Sequence, residues 1–188
     1  SEPASLPTTI GLLENFVPIR SSGNLVDCAV AATEFSAVSP NFITYSIDNP
    51  IPVEPAIGMA VMKNGRMTQS TTGMITCIGI TISVGYRPFP AGAEMRDQIA
   101  ISGVGGPFSL PGDSGALVVT LATHQPVALL FSGGMDNSLS YANRMANVMS
   151  ALNIARIVGS AEAIAQISGT NAPIASATNV SASATVEH

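Results

Sequence analysis

Tryptophan is absent from this 188-residue chain, lysine occurs once and histidine twice, and charged residues make up 10% of the whole against a usual ~25%. Each scarcity excludes something. Lys63 and six scattered arginines form no basic run, and the net charge is −5, so a nucleic-acid partner is not expected. Two cysteines, Cys28 and Cys77, lie far apart in sequence, and each sits in an apolar strand pattern where a buried free thiol is expected ahead of a disulfide between them. Residues 67–86 and 114–135 lack Asp, Glu, Lys and Arg altogether, yet neither reads as a membrane span. The first is rich in Thr, Ser and Gly, and the second is interrupted by His124, Gln125 and Pro126, so both read as strands. Ser1 to Ser5 carry neither the charge nor the apolar core of a signal peptide, and the compartment stays open.

What the chain does have is 46% hydrophobic residues, 17 glycines and 13 prolines, the composition of a compact, turn-rich fold and not of a disordered one. Residues 10–19 and 25–32 predict two strands around a turn at 20–24, with Asp27 set inside the apolar run Val26-Asp27-Cys28-Ala29-Val30. An ionised carboxylate in such a run needs a partner or several donors. Pro40, Pro50, Pro52 and Pro55 loosen the pattern from Glu34 to Pro55, as in a linker. A hairpin is expected at Lys63-Asn64-Gly65-Arg66, placing Lys63 in an exposed turn. Ile78, Ile80, Ile82 and Val84 alternate with small and polar residues in the clearest strand. Tyr86 to Ala93 reads as a loop and Met95 to Ser102 as another strand. Met145, Val148, Met149 and Leu152 recur at helical spacing behind a cap at Asn143, and 160–167 suggests a short second helix. An Ala/Ser/Thr-rich tail runs from Ser168 to His188.

The most informative stretch is Phe108 to Val119. Gly112 and Gly115 bracket Asp113-Ser114 between a Gly/Pro-rich approach and an apolar strand, so the backbone can turn sharply and display the Ser114 hydroxyl. The amides of Gly112 and Ser114 can then converge where a carbonyl oxygen gains negative charge during acyl transfer. The run 116–121, a turn at 123–126, the run 127–131 and Ser132-Gly133-Gly134 follow.

On this Gly-Asp-Ser-Gly loop, and on the strand, hairpin, strand and glycine edge behind it, the chain resembles the trypsin/chymotrypsin-like serine proteases over about residues 10–154. The resemblance implies an all-β, chymotrypsin-like double β-barrel with an incomplete first barrel, a C-terminal helix and a tail. Residues 1–35 would be a first-barrel remnant, 36–55 the linker, 56–154 the second barrel with its helix, and 155–188 a short helix and tail. Ser114 would be the nucleophile and Asp27 the carboxylate orienting a His, with the Gly112 and Ser114 amides as oxyanion hole and Asp113 bracing the loop. Phe108, Ser109, Ser132, Gly133 and Gly134 would line the substrate cleft. Phe108 is not acidic, so no preference for Lys or Arg is implied. No cofactor or metal is called for, and the partner would be a peptide or protein substrate.

One part does not fit. A serine nucleophile needs a base, which in the family is a His upstream of the Asp, and no His precedes Asp27. His124 follows Ser114 by about seven strand residues, ~20 Å, and His188 is terminal. A Lys63 base would keep its proton in an exposed turn. Arg156-Ile157-Val158-Gly159-Ser160 looks like a zymogen cleavage site but comes after Ser114, where it has no such role. Two readings follow: the C-terminal piece of a serine endopeptidase, inactive alone, whose His comes from an upstream fragment; or a catalytically inactive binding or scaffold module. A half-built first barrel would leave Leu13, Phe16 and Val26 uncovered and invite that fragment or self-association.

Overall fold

Strands dominate the regular structure of this chain, with apolar/polar alternation clearest from Ile78 to Val84. The structure, a computed structural model, describes residues 9–34, 37, 39, 44–134 and 136–167. The Ser168 to His188 tail and Pro40 lie outside these. Two strands come first, β1 (Leu12–Phe16) and β2 (Ala29–Ala32). They are followed by β3 (Ala60–Gly65), β4 (Gln69–Tyr86), β5 (Phe89–Gly103), β6 (Leu117–Thr120), β7 (Pro126–Gly133) and β8 (Leu139–Arg144), then helices α1 (Met145–Leu152) and α2 (Ser160–Ile167).

Strands β3 to β8 close into an antiparallel barrel in the order β3-β4-β5-β8-β7-β6, with β3 returning to β6 through Val61 opposite Thr120 and Lys63 opposite Val118. Its interior is filled by Val61, Ile75, Ile99, Ile101, Val118 and Leu130. Each such side chain contributes about 1.5–3 kcal/mol by leaving water. Within the barrel itself, closure pairs each of the six strands on both sides.

β1 and β2 form a separate two-stranded sheet. The segment entering β2 is clasped to the closed barrel. The Asn24 amide donates to Glu94 O and the Arg96 amide donates to Asn24 O, while Val26, Cys28 and Val30 pack with Leu129, Met145, Val148 and Leu152 between β7 and α1. Val26, expected to be uncovered, is therefore buried, whereas Leu13 and Phe16 are exposed.

Several local expectations are corrected. The β3–β4 turn lies at 66–68, not at Asn64-Gly65, because β3 runs on to pair Gly65 with Gln69. Gly65 is there for another reason: a Cβ at that position would overlap the Asp113 carboxylate. Lys63 consequently sits inside a strand, two residues from Val61 and on the same face, and is fully buried. Residues 86–93 are not a loop; the chain turns at Arg87-Pro88 and continues as β5, with Pro90 on a hairpin arm beyond the barrel where a missing donor is tolerated. Asn143 does not cap α1, whose N-cap is Arg144; it lies in β8, buried. Cys77 is exposed on β4 while Cys28 is buried, and neither is bridged.

Candidate active site

Around Asp113-Ser114, the loop between β5 and β6 turns through Gly112 (φ +103) and Gly115 (φ +90), both in the left-handed region. A side chain at Gly112 would also press on Met67, its Cβ only 2.6 Å from Met67 Cγ. Within the loop the Asp113 amide donates to Leu110 O (3.0 Å) and the Gly115 amide to Leu130 O (2.7 Å). Between them, the amides of Gly112 and Ser114 donate to no other described residue. Ser114 is half-buried, and its hydroxyl donates to Phe131 O at 3.2 Å, where the register of β7 against β8 shifts.

Asp113 is the loop's internal anchor. Its Oδ1 accepts the amides of Met67 (2.6 Å) and Thr68 (3.2 Å), and its Oδ2 accepts the Thr68 hydroxyl (2.7 Å) and the Leu110 amide (3.1 Å). Lys63 Nζ lies 3.5 Å from Oδ2, both side chains being wholly buried. Lys63 also donates to Thr68 Oγ1 and to Gln69 O. Burial pushes the Asp113 carboxyl upward, but the bonds from Thr68, Leu110 and Met67 outweigh it and hold the group below its ordinary range. Burial lowers the Lys63 pKa, opposed by the Asp113 charge. The ammonium that was expected in solvent is thus enclosed and paired, 5.9 Å from the centre of the Phe108 ring.

That ring corrects another expectation. Phe108 belongs to the barrel core at 1% exposure and does not line the cleft. The concavity beside Ser114 is lined by Ser109, Leu110, Pro111, Leu130, Ser132, Gly133, Gly134 and Asn137. Of these, Ser109 shares a 2.7 Å hydrogen bond with the buried Ser140 hydroxyl. No charged side chain is among these lining residues.

Asp27 alternates with Val26 and Cys28, so its carboxylate faces away from the apolar seam they fill. Its backbone is held on both sides by the buried Asn143, which accepts the Asp27 amide (3.2 Å) and donates to the Asp27 carbonyl (2.9 Å). Its Oδ2 accepts the Tyr86 hydroxyl at 2.6 Å. Burial raises the Asp27 pKa, with the Tyr86 bond working against it. The fastenings of Asp27 and Ser114 are near neighbours. Asn143 is the register partner of Leu129 on β7, and the Ser114 acceptor Phe131 is two residues further along that strand.

His124 stands elsewhere, in the β6–β7 turn, its ring centroid 5.1 Å from that of Tyr45. His188 lies outside the described residues. The sequence reading missed Lys63 as a partner of Asp113, and it missed Tyr86 and Asn143 as partners of Asp27. Period-two alternation from Val61 was the available signal for Lys63; nothing local connects Tyr86 or Asn143 with Asp27, since 59 and 116 positions separate them.

No family model matches the sequence, and no relative was found among curated proteins. Solved structures do match. A glutamic acid specific serine protease, described as using a histidine triad in substrate binding, is 16% identical with a TM-score of 0.54, over 78% of this chain and 73% of its own. Alpha-lytic protease homolog N4 is 18% identical at 0.53, over 80% and 74%. The chymotrypsin of Cellulomonas bogoriensis is 21% identical at 0.43 over 54% of this chain, which spans only 50% of the chymotrypsin's length. At these identities the first two likenesses show the fold alone, which is that of the chymotrypsin-like serine proteases.

Proposed function

We propose that this chain carries the nucleophile half of a serine endopeptidase that cleaves peptide bonds through an acyl-enzyme. The observation that supports this best is the loop at 112–115, where the two uncommitted amides flank the Asp113 anchor and belong to the residues that an oxyanion hole requires. Ser114 Oγ attacks the scissile carbonyl, and its proton passes to an imidazole supplied by a segment upstream of Ser1. Asp27 holds that imidazole by its other nitrogen and stabilises the imidazolium that forms. The Gly112 and Ser114 amides receive the oxyanion. The uncharged lining, Ser109 and Ser132 included, suits an uncharged side chain on the substrate, since a cationic one would be left without a counter-ion among these residues.

A second reading, a protease-like binding module, draws support from the Ser114 hydroxyl itself, whose hydrogen bond goes to a carbonyl and not to a base. Labelling by a fluorophosphonate separates the two. Alone, the chain should react poorly, because loss of the base from a Ser triad costs on the order of 10⁶ in kcat. Joined to its upstream segment it should be labelled at Ser114, Ser114→Ala should abolish labelling, and Asp27→Asn should cut the rate by about 10⁴. If the joined protein stays unlabelled beside a reactive control protease, the binding reading replaces the enzymatic one.

A further inference from the structure

Asp27 is presented with more care than a surface carboxylate needs. Gln98 Nε2, from β5, donates to Leu25 O at 2.8 Å, and Asn143, its register partner on β8, grips the Asp27 amide and carbonyl. Both side chains are fully buried. Two amide side chains from the barrel wall therefore fix the main chain on either side of the carboxylate. The carboxylate itself has two oxygens, and they are treated differently. Oδ2 accepts the Tyr86 hydroxyl at 2.6 Å, whereas no donor among the described residues reaches Oδ1.

Tyr86 reaches Asp27 from the end of the β4–β5 hairpin arm. Its position there follows from alternation: Ile80, Ile82, Val84 and Tyr86 share the half-buried face of β4, and the tip is closed by the pairing of Tyr86 with Phe89. We infer that Tyr86 is a positioning residue for Asp27, binding one carboxylate oxygen so that the other is left facing the imidazole that the proposed mechanism requires. This rests on the protease reading above. The chemistry fits the division of labour. An orienting carboxylate must stay ionised while half-buried, and a hydrogen bond to its charged form offsets the desolvation that opposes ionisation. The phenol is suited to a permanent donor, because burial and the neighbouring Asp27 both raise its pKa and keep its proton in place. The adjacent Cys28 thiol, pushed up to about 12 by burial and by Asp27, is neutral at physiological pH and does not compete as an anion.

The test has two arms. In this chain alone, a carbon-detected NMR titration of the Asp27 carboxyl should show its pKa rising by about 1 to 2 units in Tyr86→Phe, the loss expected for one hydrogen bond to a charged group. The variant removes a single oxygen from a half-buried side chain and should fold. In the protein joined to its upstream segment, Tyr86→Phe should lower kcat about tenfold or more with KM unchanged. An Asp27 pKa that does not move overturns the inference, as does a moved pKa with unaltered kcat. A joined wild-type protein that is inert, while the titration still responds to Tyr86→Phe, places the failure on the protease reading and leaves the contact standing.

Discussion

The closed barrel and the two-stranded sheet draw on the same residue types, yet one encloses them and the other displays them. Val118, Val119 and Leu130 are at most 1% exposed, while Leu12, Leu13 and Phe16 on β1 are 74%, 66% and 55% exposed. The difference lies in topology. A sixth strand returning to the first gives each strand of the closed barrel a neighbour on both sides, whereas the two-stranded sheet packs on β7 and α1 through Val30 of β2 and leaves β1 exposed. The polar groups follow the same division. Asp113, in the barrel, is surrounded by donors and a buried ammonium; Asp27, on the segment leading into the open sheet, has one side-chain donor, from a hairpin arm.

Breaking the enclosed pair should give the largest effect. Lys63→Met removes the cation and leaves the Asp113 carboxylate buried without it, which should cost about 3–5 kcal/mol in urea denaturation. Lys63→Met combined with Asp113→Asn should recover a good part of that loss, since no unpaired charge remains. Equal destabilisation of the single and double variants would mean that the ion pair matters only for its shape.

Apolar truncation tests the contrast directly. Leu130→Ala should cost about 2–5 kcal/mol, as expected for a filled interior, whereas Leu12→Ala or Leu13→Ala should stay within about 0.5 kcal/mol in the same assay. Light scattering adds a second readout on the open side. The exposed β1 residues should promote association, and Leu12→Lys with Phe16→Lys should reduce it. A β1 truncation as costly as Leu130→Ala would indicate that this sheet is covered in solution.

How far the sequence foretold this depends on the range of the interaction. Gly112 and Gly115 announced the turn because positive φ is a property of single residues, and the strand, hairpin and strand after Ser114 were legible from local periodicity. Lys63 was misplaced because Asn64-Gly65 imitates a tight turn. The glycine answers to Asp113, 48 positions away, and no local rule reports that contact. Phe108 was assigned to the cleft by analogy of position, and the core claimed it because a ring enclosed in the barrel gains more than one on a polar wall. The partners of Asp27 were illegible for the same reason as the fold's closure: both depend on which distant strands become neighbours.

The smallest effect is also the most discriminating, because the two aspartates should act on stability with opposite sign. The folded pKa of Asp113 lies below its ordinary 3.8, so its contribution is complete above that value and is lost as the pH falls through the folded pKa. Asp27 has its folded pKa raised above 3.8, so its carboxyl favours the folded state most below that value, and the advantage fades as the pH rises through the folded pKa. Asp27→Asn removes the group that is penalised when ionised, and Tyr86 can still donate to the amide oxygen. At pH 7 that variant should therefore be slightly more stable than the parent, by less than ~1 kcal/mol, with the gap closing toward pH 4. Asp113→Asn should be less stable at pH 7, with its deficit shrinking only at more acidic pH. Urea midpoints measured from pH 3 to pH 8 for the parent and both variants decide it. If Asp27→Asn is less stable at pH 7 and the deficit disappears in acid, then Asp27 is held as a well-solvated, strongly hydrogen-bonded anion, and the contrast between an enclosed carboxylate and a sparsely held one does not stand.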